Sequence, residues 1–151
     1  MKLAEALQER ADLNVKIEQL RSRLENNAQV EEGEQPAEIP DDLLTELNAC
    51  IDRLTWLIGH INLTNCRTVI DGKTLTEMIA GKDTLVMKLS VYRKLADAAS
   101  KTVSRARHSE IRILPTVRAA EMQKQIDGMA KELRLLDNSL QQANWTTDLI
   151  E

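Results

Sequence analysis

Apolar residues spaced alternately three and four apart run through four segments of the chain, and on a helix of 3.6 residues per turn each run makes one stripe. The first stripe is Leu3, Ala6, Arg10, Leu13, Ile17, Leu20, Leu24 and Asn27, and the second is Leu44, Leu47, Ile51, Leu54, Ile58, Ile61 and Asn65. The third reads Leu75, Met78, Lys82, Leu85, Leu89, Tyr92, Ala96, Ala99, Val103 and Ala106, and the fourth Ala119, Met122, Ile126, Met129, Leu133, Leu136, Leu140 and Ala143. The spacing predicts helices over about residues 2–28, 41–67, 75–107 and 117–144. The expected fold is all-α, a single domain over residues 1–151. Its four long antiparallel helices with heptad seams would form an up-down bundle or long helical hairpins.

The punctuation between the stripes agrees. Asn26 and Asn27, then Gly33, Pro36 and Pro40, close the first helix and make an acidic loop, with Pro40 or Asp41 opening the second. Asp71-Gly72 is the signature of a tight hairpin turn, and Thr74-Leu75-Thr76-Glu77 has the spacing of a capping box. The alternation of Glu110 to Leu114 before Pro115 predicts a short extended piece, so β structure is expected to be minor. Leu43, Cys50 and Leu57 recur beside the second stripe, and Ile79 and Val86 beside the third. Stripes this wide suit helices that touch two neighbours.

Composition supports a helical protein without pointing to a chemistry. The apolar residues are mostly aliphatic, with no Phe and only Trp56, Trp145 and Tyr92 as aromatics, which leaves few rings for nucleobases to stack on. Net charge is -4 but unevenly spread. Residues 29–46 carry seven acidic and no basic side chains, whereas residues 88–118 carry eight basic side chains against Asp97 and Glu110. In an up-down order these clusters fall at the same end, which favours neutralisation within the chain or between subunits over nucleic-acid binding through the 105–118 turn. Cys50 and Cys66 lie sixteen residues apart in one helix, roughly 24 Å and beyond disulfide reach. The charged start from Met1 to Glu5 does not read as a signal peptide, and no apolar run is long enough for a membrane span, so a cytoplasmic location is expected.

Two groups of residues interrupt the apolar pattern. Arg10, Asn65 and Lys82 sit in the seams, where polar side chains fix register, pair internally or line a polar cavity together with Asp83. The segment from His60 to Thr68 gathers neutral hydrogen-bonding side chains where the second helix ends, and Trp145 is expected at that end too. Asn62, Thr64, Asn65, Thr74 and Trp145 are therefore the candidate polar site, with a network that ends the helix as the plainer reading. No catalytic, cofactor or metal motif is present: Leu57 precedes His60 by three and Arg105 precedes His108 by three, so the Glu-to-His spacing of di-iron bundles is missing. The glycines are scattered, no zinc spacing occurs, and Glu5, Glu9 and Asp12 read as a solvated face.

Several fragments together resemble a family of small uncharacterised bacterial helical proteins, some members of which are labelled septicolysin. They are Met1 to Leu7, Arg10 to Leu13, Glu32-Gly33-Glu34, Ile61 to Asn65, Thr74-Leu75, Ser109 to Ile111, and Gln141 to Leu149. Where that family has Arg before Asp83, this chain has Lys82, which keeps the charge but loses the planar fork of a guanidinium. The resemblance implies no established activity, and the membrane-acting cytolysin that the label implies finds no apolar helix here to support it. The expectation is a non-enzymatic, homo-oligomeric helical protein that binds protein and needs no cofactor. The alternatives are a small-molecule site or unrecognised enzyme at the Asn62/Asn65/Thr74/Trp145 end, and nucleic-acid binding.

Overall fold

The computed structural model describes residues 1–101 and 113–151, and its helices follow the heptad stripes. In order they are α1 (Leu3–Asn26), α2 (Pro40–Arg67), a hairpin of β1 (Val69–Ile70) and β2 (Lys73–Thr74), α3 (Leu75–Ser100) and α4 (Ala119–Thr146). Local chemistry sets their ends. The Lys2 N–H donates to Glu5 Oε2 at 2.7 Å, which satisfies an amide at the start of α1 and puts a carboxylate against its positive end. Pro40 takes the first position of α2 after extended Ile39, where its missing N–H costs nothing, and Asp41 and Asp42 fill the first turn. Asp71 at φ 49° and Gly72 at φ 80° are both left-handed, the requirement of a two-residue hairpin loop, and they pair Val69 with Thr74 and Ile70 with Lys73. The expected continuation of the third helix to 107, most of the extended piece and most of the basic 105–118 turn lie outside the described residues. Ile113 and Leu114 are exposed and belong to no regular element.

The chain divides into two compact units, Met1–Leu75 with Gln141–Glu151, and Thr76–Leu140. In the first, α1 and α2 run antiparallel, since Glu9, Lys16 and Arg23 meet Arg53, Glu46 and Glu38 in descending order. The α1 stripe is buried as its spacing predicts, with Leu3, Ala6 and Leu20 inaccessible and Leu13, Ile17 and Leu24 packed around Leu43 and Cys50.

The α2 stripe is not centred where its spacing places it. Leu43, Cys50, Leu57, Ile61 and Thr64 are buried, whereas Leu44, Ile51 and Ile58 remain 44%, 41% and 42% exposed. The apolar band of α2 is wider than one neighbouring helix covers, and charge selects its edge. Glu46 and Arg53 flank the Leu43 edge, and their ion pairs to Lys16 and Glu9 turn that edge toward α1.

In the second unit α3 and α4 are antiparallel, and both are buried along the stripes the spacing predicts. Leu89, Ile126 and Met129 form the core, with Leu85, Tyr92, Ala96, Ala130 and Leu133 packed against them. Each fully covered Leu or Ile here contributes about 1.5–3 kcal/mol of apolar burial. Val86, Val91, Leu95 and Leu135 stay exposed on the flanks. Among the described residues no helix is long and apolar enough to cross a membrane.

Candidate functional site

Arg53, Trp56, His60 and Thr64 succeed one another at three and four residues, so they line one flank of α2 as a continuous polar row. The row starts on α1, where Arg53 Nε and Nη2 donate to Glu9 Oε1 and Oε2 at 2.6 and 2.8 Å. The guanidinium carbon then lies 4.5 Å from the Trp56 ring centroid, and the Trp56 and His60 rings stack at 4.1 Å with a 36° tilt. His60 Nδ1 is 2.8 Å from the Ile150 carbonyl oxygen; a carbonyl can only accept, so this nitrogen carries the proton. Thr64 completes the row: its hydroxyl donates to the His60 carbonyl at 2.7 Å and accepts the Ile150 N–H at 2.9 Å.

The row therefore clamps the C-terminal segment. That segment also pairs with the start of the chain, with Leu3 N–H donating to Thr147 O and Leu149 N–H to Met1 O, both at 2.9 Å, and Lys2 Nζ 2.8 Å from Asp148 Oδ1. Leu149 is buried beneath the bridge. The hydrogen bond from Arg53 holds the Glu9 carboxyl below its ordinary pKa against the opposing effect of burial, and Lys2 does the same for Asp148. Among the described residues no buried side-chain nitrogen or oxygen lacks a partner. No group of three or more His, Cys, Asp or Glu among them could hold a metal ion.

The residues singled out as a polar site take separate roles. Thr64 is fully buried in the clamp, and Thr74 is half-buried in β2. Asn65 is half-buried near the end of α2, and Asn62 is exposed on the side of the helix away from Arg53. Trp145, 64% exposed, borders an open cleft of about 360 Å³ with Ala4, Glu5, Gln8, Glu9 and Asp12 of α1. Of the polar seam residues, Lys82 pairs across to Asp137 of α4, and exposed Asp83 makes no ion pair among the described residues. Arg10 is half-buried with no carboxylate partner among them. A second open cleft, about 420 Å³, runs past Lys82, Val86, Arg93, Arg134 and Asp137 in the α3/α4 unit.

The clamp was beyond local sequence signals. The spacing of Arg53, Trp56 and His60 is readable, but Glu9 is 44 positions from Arg53 and Ile150 is 90 from His60.

Comparison with known proteins gives a family without an assigned role. The model of a family of unknown function, DUF6847, matches residues 10–149. The fold is similar to the crystal structure of a functionally unknown conserved protein from Corynebacterium diphtheriae, at 39% identity and a TM-score of 0.90, with 99% of each chain covered. No curated protein matches. Neither match bears the septicolysin label.

Proposed function

The chain belongs to this family of unknown function, and we propose that it is a non-enzymatic helical protein that acts through self-association and protein binding. One observation carries the reading: each antiparallel helix pair buries one stripe per helix and leaves further large apolar side chains in solvent. Leu44, Ile51 and Ile58 do so on α2, and Val86, Val91, Leu95 and Leu135 on α3 and α4. Scattered exposed apolar residues are ordinary, but residues repeating every seven along one helix form a ridge, the shape another helix packs against. The polar clamp supports the same reading, because Thr64 and His60 Nδ1 are engaged with the backbone of the tail. Light scattering on the full chain over a hundredfold concentration range is the test. The proposal expects a mass above that of one 17.1 kDa chain; a constant single-chain mass throughout overturns it.

A further inference from the structure

We propose that the exposed ridge of α2 packs into the α3/α4 groove of a second copy of this chain. This rests on the self-association proposed above and names the two surfaces that meet. The groove is the open cleft of about 420 Å³, with Val86 and Leu89 of α3 and Ala130 and Leu133 of α4 as its apolar lining. Three cations, Lys82, Arg93 and Arg134, share it with one carboxylate, Asp137. Lys82 is taken up by Asp137, whereas Arg93 and Arg134 are exposed and make no ion pair among the described residues. An occupant therefore has to be apolar at its centre and acidic at its margin.

The α2 ridge has that chemistry. Leu44, Ile51 and Ile58 are each more than two-fifths exposed. Half-buried Leu47 and Leu54 border them on one side, and on the other runs an exposed row from Asp41 through Asn48, Asp52 and Thr55 to Asn62. The charged members of that row, Asp41 and Asp52, are both acidic and make no ion pair among the described residues. Thr55 can be covered without losing a hydrogen bond, because its hydroxyl already donates to the Ile51 carbonyl at 2.9 Å.

Shape and charge agree. A row of aliphatic side chains repeating every seven residues is a ridge, and the space between two antiparallel helices is the groove such a ridge fills. Arg93 is eleven residues from Lys82 on α3 and Arg134 three from Asp137 on α4, so with Lys82 opposite Asp137 the two arginines stand ~12 Å apart along the groove. Asp41 and Asp52 stand ~16 Å apart along α2, a difference that the long arginine stems span to form charge-assisted hydrogen bonds. The other exposed apolar row, Met87, Val91 and Leu95 of α3, stands among Lys88 and Lys94 and would set like charges over Arg93 and Arg134. Because every copy carries both halves, the contact is heterologous.

The test is sedimentation equilibrium of the full chain, of a ridge variant (Asp41→Asn with Asp52→Lys), of a groove variant (Arg93→Glu with Arg134→Glu) and of their equimolar mixture, with circular dichroism to confirm folding. Each variant alone should raise the dissociation constant at least ~30-fold, because it sets like charges against each other across the contact. The mixture should associate again, since the native ridge of one variant meets the native groove of the other. Val91→Asp, outside the groove, should leave the constant unchanged. If either variant alone associates as the native chain does, or if the mixture stays monomeric, the ridge-in-groove contact is overturned and self-association stands. A native chain that is monomeric throughout overturns both.

Discussion

The α1/α2 pair is laced by Glu9 with Arg53 and by Glu46 with both Lys16 and Arg23, and Arg23 also holds Glu38 of the loop before α2, whereas among the described residues the α3/α4 pair has Lys82 with Asp137. The difference shows in which side chains are buried. In α3 and α4 the centre of each heptad stripe is the centre of the core, as aliphatic packing alone dictates. In α2 the charges on one flank rotate the helix, so the edge residues Leu43, Cys50 and Leu57 are covered and the stripe's own Leu44, Ile51 and Ile58 are left in solvent. Exposed ion pairs contribute little energy. They can still choose between two nearly equivalent faces of a wide apolar band, because the choice needs only a small difference.

The largest way to break the comparison is to remove the core itself. Leu57→Ala, at a fully buried position, should cost about 2–5 kcal/mol, and Leu89→Ala a comparable amount; urea unfolding checks both. If the two units unfold independently, each substitution shifts only the transition of its own unit.

Thr64→Val keeps the shape but removes the acceptor of the Ile150 N–H and the donor to the His60 carbonyl. A loss of about 1–3 kcal/mol is expected, with the Ile150 amide exchanging its hydrogen much faster while α3 amides are unaffected. Glu9→Gln should cost at most about 1 kcal/mol, since the pair with Arg53 is largely solvated, and Lys82→Met less still; a double-mutant cycle with Arg53→Met isolates the first.

Acid should act on the same unit. Glu9, Glu38, Glu46 and Asp148 all have carboxyls held below their ordinary pKa by hydrogen-bonded Arg53, Arg23, Lys16 and Lys2. Depressed folded values mean that the stabilisation is complete above the unfolded range, about pH 4–4.5, and is lost as pH falls through the folded values. Hydrogen exchange followed from pH 6 to 3, corrected for intrinsic rates, should show protection in α1 and α2 weakening below about pH 4.

How much of this was legible in the sequence follows the same division. The α1, α3 and α4 stripes were readable because a single aliphatic seam has one way to be buried. The hairpin was readable because Asp71-Gly72 fits few other turns. The rotation of α2 was not, since it depends on Glu9, Lys16 and Arg23, which are distant in sequence and resemble any solvated helix face. Of the candidate polar residues, Asn62, Thr64 and Asn65 lie near the end of α2, and Thr64 meets the tail. Spacing could not reveal that its partner is the backbone of Ile150, because a backbone group leaves no mark in the sequence.

The central claim is that the ion-paired flank of α2 faces α1, which leaves the ridge of Leu44, Ile51 and Ile58 for another copy to cover. The most direct measurement is an isotope-filtered NOE experiment on a mixture of labelled and unlabelled full-length chain. Intermolecular cross-peaks from the Leu44, Ile51 and Ile58 methyls are predicted. A self-associated sample whose intermolecular cross-peaks fall on α3 and α4, with none on α2, would contradict the account.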